Sequence, residues 1–251
     1  VGCAIARELA RYKLDVVLCE KTGDVGNGAT KANSAIVHGG YTATHGTLKG
    51  DLSIRGNRMY DRLNEELNFG LKRCGSLVLA FSEEERGTLE GLKENGELNG
   101  VEGLKIVERA ELEEIEPQMG PEAVAALYCP ETAVTSPYEM CIALAENAVA
   151  NGLELRLESE VVGIEKSGGV FSVRTAQGRT TEAGAQERQE LQARYVVNAA
   201  GVYSDRIAAM VGDESFTINP RQGQYLILRR GDGEMVKHVV FQTPTKKGKG
   251  I

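Results

Sequence analysis

The sequence lacks the features that mark a membrane-spanning, nucleic-acid-binding or disulfide-rich protein. No apolar run approaches the roughly 20 residues that a membrane-spanning helix needs. Positive charge is scarce, with 29 Lys and Arg against 36 Asp and Glu, and the net charge of -7 argues against a surface for nucleic acid or anionic membranes. The five cysteines include no C-x-x-C pair, so we interpret them as buried free thiols of a cytoplasmic protein, without a metal or redox site. Peripheral attachment to a membrane is left open.

The composition that is present, with 41% hydrophobic and 26% charged residues, is typical of a globular protein with one large core or two modest domains. Residues 1–10 are small and apolar and predict a helix, and residues 14–21 predict a strand that ends in an acid. This order is typical of the second half of a Rossmann βαβ unit, in which the last glycine of G-x-G-x-x-G opens the helix and an acid about 20 residues later binds a ribose. Gly2 and Glu20 fit these positions. We therefore expect the first strand and two further glycines to precede residue 1.

The remainder of the chain changes pattern several times and contains no internal repeat. Small and polar residues over 22–34 predict a long loop, and long loops in compact domains are usually functional. The apolar spacing from Leu48 to Leu67 predicts a helix. From residue 72 the Rossmann pattern is interrupted, which indicates a second domain inserted into the first. Further strands are predicted at residues 195–201, 224–228 and 236–241, and the chain then ends at the start of another, so we expect truncation at both ends.

Four segments in this order resemble one enzyme family. They are residues 28–41 with a His-Gly-Gly, residues 46–49, the Asn-Ala-Ala-Gly turn at 198–201, and residues 220–225. The chain is similar to FAD-dependent oxidoreductases of the D-amino-acid-oxidase-like superfamily, above all to anaerobic glycerol-3-phosphate dehydrogenases and L-2-hydroxyglutarate oxidases. The resemblance implies an α/β fold with a Rossmann-like FAD-binding domain and an inserted α+β antiparallel-sheet substrate domain. The FAD-binding domain would comprise residues 1–71 and 136–212, and the substrate domain residues 72–135 and 213–251, the last part incomplete.

FAD is the cofactor that this resemblance implies. A flat isoalloxazine ring needs a neighbouring backbone without bulky side chains, and a pyrophosphate suits the N–H groups at the start of the helix near Gly2. The resemblance implies these cofactor contacts: Ser34, Ala35, His38, Gly39 and Gly40 at the ring, Thr30, Lys31, Asn33 and Ser34 around the pyrophosphate and ribityl chain, Glu20 and Lys21 at the adenosine ribose, the backbone of Val161 or Val162 at the adenine, and Ala200 and Gly201 close to the cofactor.

The substrate side of the expected site has one candidate base and three candidate substrate contacts. His38 would take the hydroxyl proton as hydride leaves the substrate carbon for flavin N5, because imidazole has an ordinary pKa near 6.5. The alternative is a histidine that only orients the cofactor. Arg221 is the first candidate to grip a phosphate or carboxylate with its planar fork. Lys49 would add a second charge, or is a surface lysine, and Tyr225 would donate a hydroxyl, or is a core residue.

These residues favour an enzyme that oxidises a small anionic alcohol, with glycerol 3-phosphate as the first expectation, dihydroxyacetone phosphate as its product and the electron acceptor unknown. The sequence departs from the glycerol-3-phosphate branch after Gly40, because residues 41–45 lack the arginine often found there. A 2-hydroxy-acid or amino-acid oxidase therefore remains an alternative. The alternative from another class is a non-catalytic nucleotide-binding fragment, because the chain lacks the first strand of its nucleotide motif and the C-terminal segment that returns to the flavin.

Overall fold

The structure, a computed structural model, describes residues 1–180 and 186–244, which divide into two compact units. The first unit contains Val1–Asn33 and Pro137–Gln224, and the second contains Ser34–Ser136 and Tyr225–Ile251. Residues 34–71, which the sequence analysis groups with the FAD-binding domain, therefore belong to the second unit, where Ile54 joins the buried core. The assignment of one domain to FAD and the other to substrate stays a prediction.

The secondary structure mixes helices of up to 20 residues with strands of up to 11 residues. In chain order, the helices are α1 (Gly2–Leu9), α2 (Leu48–Leu67), α3 (Glu83–Leu98), α4 (Arg109–Ile115), α5 (Pro137–Ala150) and α6 (Ser204–Ala209). The strands are β1 (Val17–Cys19), β2 (Ile36–Val37), β3 (Leu71–Arg73), β4 (Ser76–Ala80), β5 (Lys105–Glu108), β6 (Ala125–Cys129), β7 (Ala133–Thr135), β8 (Glu154–Arg156), β9 (Ser159–Ser167), β10 (Val170–Thr180), β11 (Gln186–Ala193) and β12 (Val239–Gln242).

The first unit contains two helix–strand pairs whose strands run parallel. Strand β1 pairs with β8 in parallel, with Val17 opposite Glu154. Each strand follows a helix, α1 or α5, and Ala6, Ala148 and Leu153 form a shared buried cluster beneath them. Parallel strands need crossover connections, which are usually helices, as in a Rossmann half. This arrangement agrees with the Rossmann-like pattern predicted from the first 20 residues.

An antiparallel sheet completes the described strands of the first unit. Strand β10 lies between β9 and β11, with Val173 opposite Ile164 on one side and Leu191 on the other. Of the polar segment over residues 177–192, the described parts 177–180 and 186–192 lie in β10 and β11, and residues 181–185 lie outside the described chain.

The second unit is built around a four-stranded mixed sheet that is buried on both faces. Its order is β12-β4-β6-β5, with β12 parallel to β4 and the other neighbours antiparallel. Side chains alternate across β4, so Val78 packs in one cluster with Leu89 of α3. Leu77 packs in the opposite cluster with Leu112 of α4. The inserted block therefore has its own hydrophobic core.

A smaller sheet positions the His-Gly-Gly segment. Strand β7 lies between β2 and β3, and both pairs are antiparallel. Ile36 lies opposite Val134, and Val37 lies opposite Ala133, so His38 follows directly at the end of β2. The backbone N–H of Thr135 donates to the carbonyl of Ala35 at 3.0 Å, which continues the pairing by one residue.

Helices α2 and α3 begin at side-chain caps. Thr47 Oγ1 accepts a hydrogen bond from the Gly50 N–H at 3.1 Å, and α2 covers the range Leu48–Leu67 that the apolar spacing predicts. At α3, Ser82 Oγ accepts from the Glu85 N–H at 3.2 Å. Glu85 Oε2 accepts from the Phe81 N–H at 2.7 Å, so the two side chains satisfy N–H groups on both sides of the helix start.

Two predicted strands are wrong. Residues 195–201 form no strand, and the side chain of Tyr195 is 85% exposed. Residues 224–228 form no strand either, with Leu226 96% and Ile227 95% exposed. Both segments have the β-branched and aromatic composition of strands, but a strand also needs a neighbour for its N–H and C=O groups. Within residues 1–180 and 186–244 no strand pairs with either segment.

Candidate functional site

The start of helix α1 lies against the Asn-Ala-Ala-Gly turn. A Cβ atom added at Gly2 would lie 3.4 Å from Ala199 Cβ and 3.7 Å from Leu18 Cδ1, both van der Waals distances, so Gly2 lies directly beside the turn. The turn is held by Asn198, whose Nδ2 donates to the carbonyl of Ser204 at 2.7 Å. Gly201 has a φ of +59°, the left-handed conformation that glycine adopts without strain. Two motifs that are far apart in sequence are therefore neighbours in the first unit.

Glu20 is fixed at the carboxyl end of β1. Its backbone N–H donates to the Arg156 carbonyl at 2.9 Å, and its carbonyl accepts from the Ser159 N–H at 2.8 Å. Its Oε1 accepts from both the N–H and the hydroxyl of Thr22, each at 2.9 Å. The carboxylate therefore has a defined orientation beyond the strand end, where the acid of a Rossmann unit binds a ribose.

Side chains predicted to contact the cofactor instead close the loop at residues 22–33 on itself. Lys31 Nζ donates to Asn27 Oδ1 at 2.7 Å. Asn33 Nδ2 donates to the carbonyls of Ala29 and Thr30, at 2.9 and 2.7 Å. These bonds fix the shape of the backbone that includes Thr30. Direct contact of Thr30, Lys31 or Asn33 with a cofactor stays a prediction.

A second contact joins the end of β1 to the segment after the glycine turn. Lys21 Nζ lies 3.7 Å from the centroid of the Tyr203 ring, which is cation–π distance. The resemblance implies a contact of Lys21 with the cofactor ribose. Tyr203 was not predicted, and the only sequence feature that could have indicated it is its aromatic side chain two positions after Gly201. Val161 and Val162 lie on β9, close after the residue that binds the Glu20 carbonyl, and Val162 is exposed.

These contacts give the first unit the parts of a dinucleotide cradle. The N–H groups at the start of α1 and the positive end of its dipole suit a pyrophosphate. The carboxylate of Glu20 suits the hydroxyls of a ribose. The turn at Ala200 and Gly201 carries little side-chain bulk beside them. The residues present therefore fit the adenosine-diphosphate half of FAD.

In the second unit, the two glycines of His-Gly-Gly are buried in protein. A Cβ at Gly39 would lie 2.4 Å from Cys129 Sγ. Gly40 has a φ of +95°, and a Cβ there would lie 3.2 Å from Val101 Cγ2. Core packing and backbone conformation therefore already account for glycine at these positions, and contact of their backbone with a flat ring stays a prediction. Ala35 also has a positive φ, of 60°, and the exposed Ser34 precedes it.

His38 is an exposed side chain on a fixed backbone. Its carbonyl accepts a hydrogen bond from Asn57 Nδ2 at 2.8 Å, and its ring stacks on Phe241 with centroids 5.9 Å apart. A small, mostly apolar depression adjoins the ring. Tyr41, which lines this depression, is a buried core residue whose hydroxyl lies 3.2 Å from Ser76 Oγ. Burial raises the pKa of Tyr41 to about 12. The depression is lined by His38, Tyr41, Thr42, Val78, Leu92, Phe241, Gln242 and Pro244.

The other predicted substrate contacts are exposed on separate segments. Lys49 lies in the first turn of α2, behind the Thr47 cap. Arg221 is exposed on a stretch without regular structure at the end of the first unit. Tyr225 is 60% exposed at the point where the second unit resumes, and is not a core residue. A substrate role for each of the three stays a prediction.

One buried polar residue that supports His38 was missed by sequence reasoning. Asn57 on α2 donates from Nδ2 to the Glu131 carbonyl at 2.8 Å, in addition to the His38 carbonyl. Its Oδ1 accepts from Arg73 at 2.7 Å. A polar residue at a buried helix position is the only sequence signal, and it does not say which distant backbone group the amide binds.

Comparison with known proteins places the chain among flavoproteins. A family model described as "DAO: FAD dependent oxidoreductase" matches residues 1–251. Over 251 residues the chain is 47% identical to a glycerol 3-phosphate dehydrogenase of Caloramator mitchellensis. This alignment covers 100% of this chain and 50% of that protein. It is 30% identical to a glycerol 3-phosphate oxidase of Mycoplasma pneumoniae, over 100% of this chain and 64% of that protein. An L-2-hydroxyglutarate dehydrogenase of Mus musculus is 29% identical, over 98% of this chain and 54% of that protein.

The fold agrees with a solved structure of the same kind. The dithionite-reduced L-α-glycerophosphate oxidase of Mycoplasma pneumoniae, which has FAD bound, superposes with a TM-score of 0.82 and 28% identity. The match covers 100% of this chain and 64% of that one. The chain thus spans about half the length of the first curated relatives it matches. Within the described ranges, no helix combines the length and apolar character needed to cross a membrane.

Proposed function

The chain belongs to the DAO family of FAD-dependent oxidoreductases. From this premise we propose that it oxidises a small anionic alcohol, with glycerol 3-phosphate as the first candidate substrate. The family confirms the resemblance, the fold class and the cofactor that the sequence predicts. The substrate is supported by the 47% identity to a glycerol 3-phosphate dehydrogenase. The observation that supports the proposal is the placement of Gly2 against Ala199, with Glu20 fixed at the end of β1 in the same unit, because a bound dinucleotide needs a helix start and an acid of this kind.

We assign the candidate cofactor contacts residue by residue. The start of α1 would hold the pyrophosphate, Glu20 the adenosine ribose, and the exposed face around Val162 the adenine. Ser34, Ala35 and the backbone of Gly39 and Gly40 would contact the ring. When bound, FAD supplies the acceptor of a hydride. The proposal names no acceptor for the electrons that leave the reduced flavin. The cytoplasmic location inferred from the cysteines stays a prediction.

The proposed part of His38 is to accept the proton of the substrate hydroxyl. Its side chain is exposed, whereas Asn57 binds its backbone carbonyl and Phe241 stacks on its ring. A base needs this combination of a fixed position and open access to the proton it takes. Lys49 and Tyr225 are the candidate polar contacts with substrate in the same unit, and Arg221 stays a separate candidate for binding a phosphate or carboxylate.

A 2-hydroxy acid is the second candidate substrate. The residues after Gly40 lack the arginine expected for a phosphate, and the chain is also 29% identical to an L-2-hydroxyglutarate dehydrogenase. A carboxylate and a phosphate both accept two hydrogen bonds from the planar fork of an arginine such as Arg221, so this contact alone does not separate the substrates.

Spectroscopy of the purified protein tests the proposal. We expect the protein to be yellow or to become yellow with added FAD, and to lose that absorbance anaerobically when glycerol 3-phosphate is added. Bleaching by 2-hydroxyglutarate and not by glycerol 3-phosphate would transfer the proposal to the second substrate. Protein that takes up no FAD would contradict a catalytic role for these 251 residues and favour a non-catalytic fragment.

His38→Asn tests the proton-accepting role. We expect anaerobic flavin reduction to slow by about 100-fold, the lower end of what general bases contribute, while FAD affinity changes little. His45→Asn is the matched control, because His45 is also exposed in the second unit and its Nδ1 binds Asn99 Oδ1 at 3.1 Å. Equal reduction rates in His38→Asn and the unchanged protein would exclude the base role.

A further inference from the structure

Two cysteines that are 138 positions apart in sequence lie side by side in the first unit. Cys3 on α1 and Cys141 on α5 have their Sγ atoms 3.6 Å apart, joined by a thiol–thiol hydrogen bond. All five cysteines of the chain are free thiols, so the pair is reduced. Cys3 is buried and Cys141 is partly exposed, which leaves one thiol of the pair open to a small reagent.

The packing of the two helices holds these thiols together. Ala6 and Ala148 share a buried cluster further along the helices. Arg7 Nε donates to Asn147 Oδ1 at 3.0 Å in the same region. A disulfide needs its sulfurs about 2.05 Å apart, so they have to approach by roughly 1.5 Å from their present 3.6 Å. Rotation of the side chains would supply much of this approach, without separating the helices.

We propose that Cys3 and Cys141 are a redox-active dithiol that a small peroxide, such as hydrogen peroxide, oxidises to a disulfide. The Cys141 thiolate attacks one peroxide oxygen, the O–O bond breaks, and a sulfenic acid forms while hydroxide leaves and becomes water. The Cys3 sulfur then attacks the Cys141 sulfur, the S–O bond breaks, and a second water leaves with the Cys3 proton. Two thiols thereby lose two hydrogens and two electrons, and the peroxide is reduced to two waters.

The thiol–thiol hydrogen bond favours Cys141 as the attacking thiol. This bond with Cys3 lowers the pKa of Cys141 to about 7, against an ordinary 9.0. Burial and the charges of Asp24 and Glu20 act in the opposite direction. The same hydrogen bond and burial raise the pKa of Cys3. Cys141 is therefore the thiol that ionises near neutral pH and reacts first.

Alkylation rates test this order of reactivity. In the full 251-residue chain, the rate of maleimide addition to Cys141 should rise with pH with a midpoint near 7. Cys3→Ala removes the hydrogen-bond partner of Cys141 and should move the midpoint up, towards 9. At pH 7, about fifty-fold less thiolate, offset by a roughly ten-fold more nucleophilic one, predicts about five-fold slower alkylation in Cys3→Ala. An unchanged midpoint in Cys3→Ala would show that the two thiols do not interact.

Peptide mapping tests disulfide formation itself. After treatment with hydrogen peroxide, the protein should take up two fewer maleimides. Digestion with trypsin and a protease that cleaves after glutamate should then link residues 1–7 to residues 140–146, and reduction should separate them. Cys74→Ser, a change at a cysteine of the second unit, should leave the link intact. Cys3→Ala should lose the link and accumulate a sulfenic acid that a cyclic 1,3-diketone traps.

Two results would overturn the proposal. One is wild-type Cys141 proceeding to sulfinic acid without a linked peptide, because a competent partner thiol intercepts the sulfenic acid first. The other is a peroxide-induced link between different cysteines. Both tests use mass spectra and alkylation rates, so their outcome is independent of whether the proposed enzymatic activity is found.

Discussion

Asn57 is the residue on which the backbone around His38 depends. It is 2% exposed, and its amide group bonds the carbonyls of His38 and Glu131 and the guanidinium of Arg73. Arg73 also bonds the Glu131 carbonyl directly and forms an ion pair with Asp61. One buried amide therefore connects α2 to the ends of three other segments, and its removal leaves several buried polar groups without partners.

We expect Asn57→Ala to lower the free energy of unfolding by about 1–3 kcal/mol, the cost of leaving buried polar groups unsatisfied. Urea denaturation followed by circular dichroism measures this loss. Glu65→Ala on the exposed side of the same helix should change stability by less than about 0.5 kcal/mol. Equal stability of Asn57→Ala and Glu65→Ala would show that the amide has replaceable partners.

Residue types alone predicted some site positions and not others. Gly2 and Glu20 could be placed because a Rossmann unit fixes the spacing between its glycine and its acid. The reason for Gly39 and Gly40 could not be found in this way, since a missing side chain looks the same whether a ring or a Cys129 sulfur occupies the space. The Cys3–Cys141 pair was missed because nothing local connects positions 138 apart.

At the scale of elements, helices were predicted better than strands. The range of α2 follows from apolar spacing and from Thr47 at its start, both of which are local signals. The segments at 195–201 and 224–228 have strand composition but no paired neighbour in the described chain. Strand formation depends on a partner that is distant in sequence, so composition alone does not decide it.

Helix α3 offers a test of how closely it packs on its neighbours. Gly96 faces the core, and a Cβ there would lie 2.4 Å from Leu104 Cδ1 and 2.7 Å from Tyr41 Cβ. We expect Gly96→Ala to destabilise the protein by about 1–3 kcal/mol, because overpacking forces buried side chains to move. Thermal or urea denaturation measures the change.

Gly87 on the exposed side of the same helix is the matched control. Nothing lies within 4 Å of a Cβ added there. Gly87→Ala should therefore stabilise the protein by about 0.5–1 kcal/mol, the difference in helix propensity between the two residues. The two substitutions are chemically identical and should have opposite signs. A stabilising Gly96→Ala would mean that α3 packs less closely than the structure shows.

At the scale of the whole molecule, each unit is assembled from two distant stretches of sequence. The sequence analysis predicted an inserted domain from the change of pattern at residue 72, whereas packing divides the chain at Asn33, Ser136 and Gln224. Composition changes where the type of secondary structure changes, and such a change need not coincide with a boundary between cores. The predicted boundaries therefore differ from the packing units most where residues 34–71 join the second core.

Glu116 is the buried group that fixes the returning strand of the second unit. It is 1% exposed, and its Oε2 accepts from the N–H groups of Lys237 and His238 and from His238 Nδ1, at 2.8, 3.1 and 2.9 Å. These bonds lie just before β12, which pairs in parallel with β4. A single carboxylate thus joins residues more than 120 positions apart, and the four-stranded sheet gains its edge strand through it.

We expect Glu116→Ala to detach β12 before the rest of the second unit unfolds, because it leaves the N–H groups of Lys237 and His238 without their acceptor, at about 1–3 kcal/mol for a buried unsatisfied group. Hydrogen exchange measured by mass spectrometry should show faster exchange in Val239–Gln242, whereas α1, α5 and β9 in the first unit keep their protection. Glu113→Ala is the control, because the exposed Glu113 forms an ion pair with Arg109 on the same helix and should leave β12 unchanged. Unaltered exchange of Val239–Gln242 in Glu116→Ala would show that pairing with β4 alone holds the strand.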